Sequence, residues 1–175
     1  MAAKLIAYLG GIRSGKSVLA EGRFKSLLAR RREKTVHYLA TLDGSMAVSD
    51  PELRKRIDLH QARRSSAWRV VECTDRLQLP EKGRAFLMDG LGPWVARGLG
   101  RSEAGLLKEL ETFLAALKKR DALAVLVLDE AGQGGISANR LQRLFCDLNG
   151  RANQLVCGAC DEIWVANAGI ATRIK

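Results

Sequence analysis

Proline is scarce, with three in 175 residues, and no stretch is low in complexity. Nothing therefore reads as a linker, and residues 1–175 are expected to form a single domain with one sizeable core. No internal repeat is visible. Long apolar runs are missing as well. The stretch KLIAYL at residues 4–9 is too brief for a signal peptide or a membrane span, so a soluble cytoplasmic protein is the expectation. Cysteine is limited to Cys73, Cys146, Cys157 and Cys160. Only the last two form a C-x-x-C, no second pair exists, and neither histidine is near them in sequence. Structural thiols are expected rather than a metal site.

Negative charge is also under-represented: 29 Lys and Arg face 19 Asp and Glu, a net +10. The cations cluster at Arg30–Arg32, Arg54–Arg56, Arg63–Arg64 and Lys118–Arg120. Such clusters suit solvated helix faces and helix C-termini, or a field that gathers phosphorylated molecules. They do not interleave with aromatics, which make up 5% of the chain. No nucleic-acid partner is expected.

What is present alternates. Short apolar runs at 4–9, 36–41, 68–72, 85–89 and 122–130 read as strands buried in a parallel sheet. Helical patterns separate them at Lys16 to about Arg31, Asp50 to about Arg63, Pro93 to Leu99 and Ser102 to Arg120, and another follows from Ala138 to about Gly158. EIWVA and IATRIK flank Asn167-Ala168-Gly169, which predicts a terminal antiparallel hairpin. The fold class is α/β, a mainly parallel sheet with helices on both faces. Ligands of such sheets bind beyond the carboxyl ends of the strands.

GGIRSGKS at residues 10–17 has the spacing G-x-x-x-x-G-K-[ST] between the first strand and the first helix. Glycine lets the backbone wrap an anion, and the helix N-terminus adds N–H donors and a positive dipole. Lys16 would reach the β and γ phosphates, and Ser17 would offer its hydroxyl to Mg²⁺. A carboxylate should end a neighbouring strand near the metal. Asp89 and the pair Asp129-Glu130 both qualify, and from pattern alone the pair is better placed. No Asn-Lys-x-Asp segment occurs, so the residues leave adenine and guanine open.

His60 lies in RIDLHQARR beside Arg63 and Arg64. Neighbouring cations would lower its pKa and favour the neutral imidazole, which can attack phosphorus. His37, within a strand, is expected to be structural. On composition alone a plain surface histidine is the more ordinary reading of His60.

The chain resembles the bifunctional adenosylcobinamide kinase / adenosylcobinamide-phosphate guanylyltransferase family. The resemblance is carried in order by GGIRSGKS, YLAT, R-I-x-x-H-x-x-x-R-x-x-x-W-x-x-x-E, the strand ending at Asp89, DEAGQGGISANRLQRLFCDLNGRANQ and the IWVANAGIATRIK tail. It implies a RecA-like P-loop fold, Mg²⁺ and a homotrimer. It implies phosphorylation of adenosylcobinamide by GTP or ATP, then transfer of GMP from GTP through a guanylyl-histidine to adenosylcobinamide phosphate. Carried over by position, His60 is the guanylylated residue, and Gly10, Gly11, Ile12, Arg13, Ser14, Gly15, Lys16 and Ser17 hold the triphosphate. Ala40, Thr41, Leu42, Gln61, Ala62, Arg63, Arg64, Glu72 and Asp89 line the nucleotide site. Ser17 with Asp89 is the metal pair carried forward, beside the open alternative of Asp129 and Glu130.

Several positions depart from the family pattern: Ser65 stands for proline, Asp129 for asparagine, Ala131 for valine and Cys146 for arginine. Two other readings remain at this point. One is a monofunctional P-loop kinase of a small molecule; the other is a nucleotide-dependent nucleic-acid-binding module.

Overall fold

The computed structural model describes residues 3–31, 33, 35–42, 51–63 and 67–175. Within 51–63 it leaves out the side chains of Leu53, Arg56, Leu59, His60, Gln61 and Arg63. Seven strands form one sheet: β1 (Lys4–Gly10), β2 (Val36–Ala40), β3 (Arg69–Glu72), β4 (Ala85–Asp89), β5 (Leu123–Asp129), β6 (Glu162–Asn167) and β7 (Ile170–Arg173). The order is β3-β2-β4-β5-β1-β6-β7, parallel throughout except for the β6–β7 pair. The helices are α1 (Lys16–Leu28), α2 (Pro51–Arg63), α3 (Gly92–Arg97), α4 (Glu103–Lys119) and α5 (Arg140–Ala159).

Period-two alternation sorts each strand between two cores. Leu5, Ala7, Phe86, Met88, Leu126 and Leu128 pack on the face that carries α3, α4 and α5. Ile6, Tyr8, Leu87, Val125 and Val127 pack on the other face, with Ala20 and Phe24 of α1. Because both faces are covered, the central strands read as unbroken apolar runs. Burying each such Leu or Val side chain contributes about 1.5–3 kcal/mol before entropy is counted.

The elements follow the sequence pattern with local differences. The first helix ends at Leu28 rather than near Arg31, and Val18, one of its apolar positions, stands 54% exposed. The helical stretch after Asp89 is shorter than its pattern suggests. It ends at Arg97 and tightens into a 3₁₀ turn at Gly98–Gly100, where a side chain on Gly98 would strike Leu106. Ser102 and Gly105 make no capping box, yet the Ser102 hydroxyl still accepts from the Gly105 N–H at 3.4 Å and caps α4. The terminal hairpin forms with Ala168 and Gly169 both left-handed, at φ 49° and 82°.

Cys73 and Cys160 are buried, and all four thiols are free. Burial pushes the Cys160 thiol up to about 12, where it stays protonated. His37 is buried against Phe86 and above Gly83. Burial first, then the charge of Arg69, lowers its pKa and keeps it neutral. Among the described residues no helix is long and apolar enough to cross a membrane.

Candidate functional site

The site lies at the carboxyl ends of β1, β5 and β4. After Gly10 the chain turns through Gly11–Gly15 into α1, with Arg13 at φ 59° and Gly15 at φ 87°. Two close approaches explain the glycines. A side chain on Gly10 would come within 2.5 Å of Ser14 Oγ and 2.7 Å of the Ala166 carbonyl. One on Gly15 would meet the Gly169 Cα at 3.1 Å and would also have to bear the left-handed backbone. The loop therefore leans on the β6–β7 turn, and the Gly169 N–H donates to the Ser14 carbonyl at 2.9 Å. Ile12 and Arg13 stand exposed at its crest.

The Ser17 hydroxyl donates to Asp89 Oδ1 at 2.8 Å, and the Tyr38 hydroxyl donates to Asp89 Oδ2 at 2.8 Å. Asp89 shares the α1 face of the sheet with Leu87, two positions before it. Pattern alone favours the Asp129-Glu130 pair that ends β5, and in the sheet β5 does lie between β4 and β1. However, α1 runs across β5 toward β4, and this carries Ser17 to Asp89.

Asp129 meets the loop differently. Lys16 Nζ lies 3.2 Å from Asp129 Oδ1 and donates to the Gly11 carbonyl at 3.1 Å. Asp129 Oδ2 accepts from the Gly92 N–H at 3.0 Å, at the start of α3. Glu130 donates its backbone N–H to the Gly10 carbonyl at 3.0 Å, and its carboxylate accepts from the Gly132 N–H at 3.1 Å. The glycine-rich loop and the start of α5 then enclose a hollow of about 460 Å³. Arg143, Cys146 and Asp147 line it. The Cys146 thiol donates to the Ala131 carbonyl at 3.2 Å.

The remaining expected residues spread along the sheet. Ala40 is buried, and the buried Thr41 donates its hydroxyl to the Gly90 carbonyl at 2.5 Å. Thr41 thus ties the end of β2 to the end of β4, while Leu42 follows, half-buried. Glu72 ends β3 at the sheet edge, exposed. With four strand spacings between β3 and β1, Glu72 lies roughly 19 Å across the sheet from the loop. His60, Gln61, Ala62 and Arg63 belong to α2, which joins β2 to β3; Ala62 is exposed. The side chains of His60, Gln61 and Arg63, and all of Arg64 and Ser65, lie outside the described residues.

Some neighbours of the site fall within the segments that carry the resemblance, but the sequence assigns them no role. Tyr38 reads as an ordinary strand aromatic, and only its period-two register with Asp89's face could have pointed to it. Asn149 and Asn153 donate their side-chain amides to the Asp129 carbonyl at 2.7 and 3.0 Å. Asparagines one helical turn apart on a buried helix face are the available signal.

A parallel sheet with a glycine loop, a lysine and a hydroxyl-carboxylate pair at its carboxyl edge defines a RecA-like P-loop nucleotide-binding fold. The flagellar accessory protein FlaH from Methanocaldococcus jannaschii shares that fold, with a TM-score of 0.54 and 12% identity over 98% of this chain and 78% of that one. Residues 6–174 match the family described as cobinamide kinase / cobinamide phosphate guanyltransferase, and the chain belongs to that family of enzymes. It is 31% identical to the bifunctional adenosylcobalamin biosynthesis protein CobU of Salmonella typhimurium, covering 98% of this chain and 99% of that protein. It is 33% identical to the bifunctional adenosylcobalamin biosynthesis protein CobP of Pseudomonas aeruginosa, covering 95% of each.

Proposed function

We propose that this chain phosphorylates adenosylcobinamide with a nucleoside triphosphate and then transfers GMP from GTP to the product through His60. The observation that carries the reading is the Lys16–Ser17–Asp89 arrangement at the mouth of the glycine loop, in a chain that matches the family over residues 6–174.

In the kinase step the substrate hydroxyl oxygen attacks the γ phosphorus and releases its proton to solvent, the bond to the β–γ bridging oxygen breaks, and a nucleoside diphosphate leaves. Positioning and charge neutralisation govern such a reaction. The N–H groups of residues 11–17 and the Lys16 ammonium are the donors on hand.

In the transferase step a neutral His60 imidazole nitrogen attacks the α phosphorus of GTP and pyrophosphate leaves. An oxygen of the corrinoid phosphate then attacks that phosphorus, the P–N bond breaks, and adenosylcobinamide-GDP is released. A covalent carrier suits an exchange of one phosphate partner for another, because it splits the exchange into two displacements.

The Ser17 hydroxyl and Asp89 carboxylate are oxygen donors of the kind that Mg²⁺ accepts alongside substrate phosphates. Bound there, the ion would neutralise charge on the β and γ oxygens. The chain's own residues orient that pair, since Tyr38 holds the second Asp89 oxygen. Gln61 to Arg64 would face the same nucleotide, as would Ala40 to Leu42 at the end of β2 and Glu72 at the end of β3. The homotrimer and the cytoplasmic location belong to this proposal as well.

Mass analysis after exposure to GTP and Mg²⁺ tests it. One added GMP, placed on His60 by fragmentation and lost in His60→Ala, is the expected result. A chain that phosphorylates adenosylcobinamide yet stays at its native mass would be a monofunctional kinase. Light scattering of the purified chain checks for three copies.

A further inference from the structure

The lysine that the phosphate cradle needs is already engaged. Lys16 Nζ bonds both the Gly11 carbonyl across the loop and the Asp129 carboxylate, and its side chain is only 13% exposed. An ammonium has three N–H donors; one goes to the Gly11 carbonyl, and the Asp129 carboxylate lies 3.2 Å from the group. A triphosphate must share the lysine with the carboxylate or take it away.

The carboxylate is not free to follow. Its second oxygen accepts from the Gly92 N–H at 3.0 Å. Its backbone carbonyl accepts from Asn149 at 2.7 Å and Asn153 at 3.0 Å, both buried on α5. Glycine at 92 is what lets the carboxylate sit this close to the start of α3, because a side chain there would come within 2.7 Å of Asp129 Oδ2. Two elements thus keep a negative charge beside an anion-binding loop: α3 holds the carboxylate and α5 holds the backbone that carries it. Asp89, by contrast, bonds the Ser17 and Tyr38 hydroxyls.

We propose that Asp129 is a positioning residue that sets the affinity for triphosphate. It holds Lys16 beside the Gly11 carbonyl and yields it when phosphate enters, so binding is weaker than the loop alone would give. This inference rests on reading residues 10–17 as a triphosphate site. It involves no change in covalent bonds.

The test replaces the charge and keeps the shape. In Asp129→Asn the side-chain oxygen can still accept from Gly92, so the variant is expected to melt with the parent. Its Kd for a non-hydrolysable GTP analogue, measured by calorimetry without corrinoid, should fall about ten-fold, the scale of one partly screened charge pair. In the kinase assay KM for the triphosphate should fall by a similar factor with little change in kcat. In a Lys16→Ala background the same substitution should change Kd far less, because the lysine that mediates the effect is gone.

An unchanged or weaker Kd in a folded Asp129→Asn protein overturns the proposal. So does equal tightening in the Lys16→Ala background, which would make Asp129 a general repulsive charge. A loss of kcat at constant KM overturns it too, by placing Asp129 in the chemical step. The outcomes separate from those of the functional reading. A parent that binds the analogue but transfers nothing sinks the assigned activity and leaves Asp129 to be judged on Kd, whereas a parent that binds no triphosphate sinks both.

Discussion

Asp89 is held by two hydroxyls from opposite sides, and the two contacts are expected to fail differently when removed. Asp89→Asn keeps the side chain's size but removes the charge that Ser17 and a cation would share. Kinase kcat is expected to drop on the order of 100-fold, the cost of losing one preorganised electrostatic group. Tyr38→Phe removes only the second hydroxyl, so a smaller loss of kcat is expected. Steady-state kinetics on both variants checks the ordering; equal losses would mean that Tyr38 does more than orient the carboxylate. Gly15→Ala asks a non-glycine residue to hold φ 87° with its Cβ 3.1 Å from a backbone atom of the hairpin turn. A stability loss of about 1–2 kcal/mol is expected from the left-handed backbone alone, with weaker triphosphate binding. Denaturant melts and calorimetry read the two effects.

At the scale of elements, the strands and helices were largely legible because period-two and helical patterns are local properties of the chain. Ala85–Asp89 and the β6–β7 hairpin follow directly from apolar runs and turn residues. The partner of Ser17 was not legible in the same way. It depends on α1 crossing β5, a long-range fact that no local pattern carries, and pattern alone pointed to Asp129-Glu130 instead. The loop spacing marked Lys16, but not that a fixed carboxylate would occupy it. His60 could be singled out only through its neighbours in sequence and the family resemblance. The hairpin turn offers a separate test. Ala168 is a non-glycine residue at φ 49°, followed by Gly169 at φ 82°. Ala168→Asn would create the Asn-Gly pair that such a turn favours. A gain of up to about 1 kcal/mol is expected from relief of the left-handed alanine, and thermal unfolding measures it.

Across the whole molecule, Glu162 joins distant parts of the chain. Its carboxylate lies 2.7 Å from Lys4 Nζ in β1 and 3.3 Å from Arg23 in α1, and it accepts from Trp164 Nε1 at 3.2 Å. Burial alone would raise its pKa, but the bonds and charges of Lys4, Trp164 and Arg23 prevail and hold it at about 2, below the ordinary 4.5. A carboxyl depressed by folding adds stability that is present above pH 4.5 and is lost as pH falls toward 2. Denaturant titrations should show the parent weakening across that window. Glu162→Gln should be less stable at neutral pH and flatter between the two values. A parallel acid response in both proteins would show that other groups govern it.

The contact between Gly169 and Ser14 has a further consequence, for the time at which the cradle becomes competent. The loop is translated before the turn that props it, which comes more than 150 positions later. A nascent chain halted before β6 would carry every residue of the glycine loop and still lack its buttress. Nucleotide capture is therefore expected only once the β6–β7 hairpin has emerged from the ribosome.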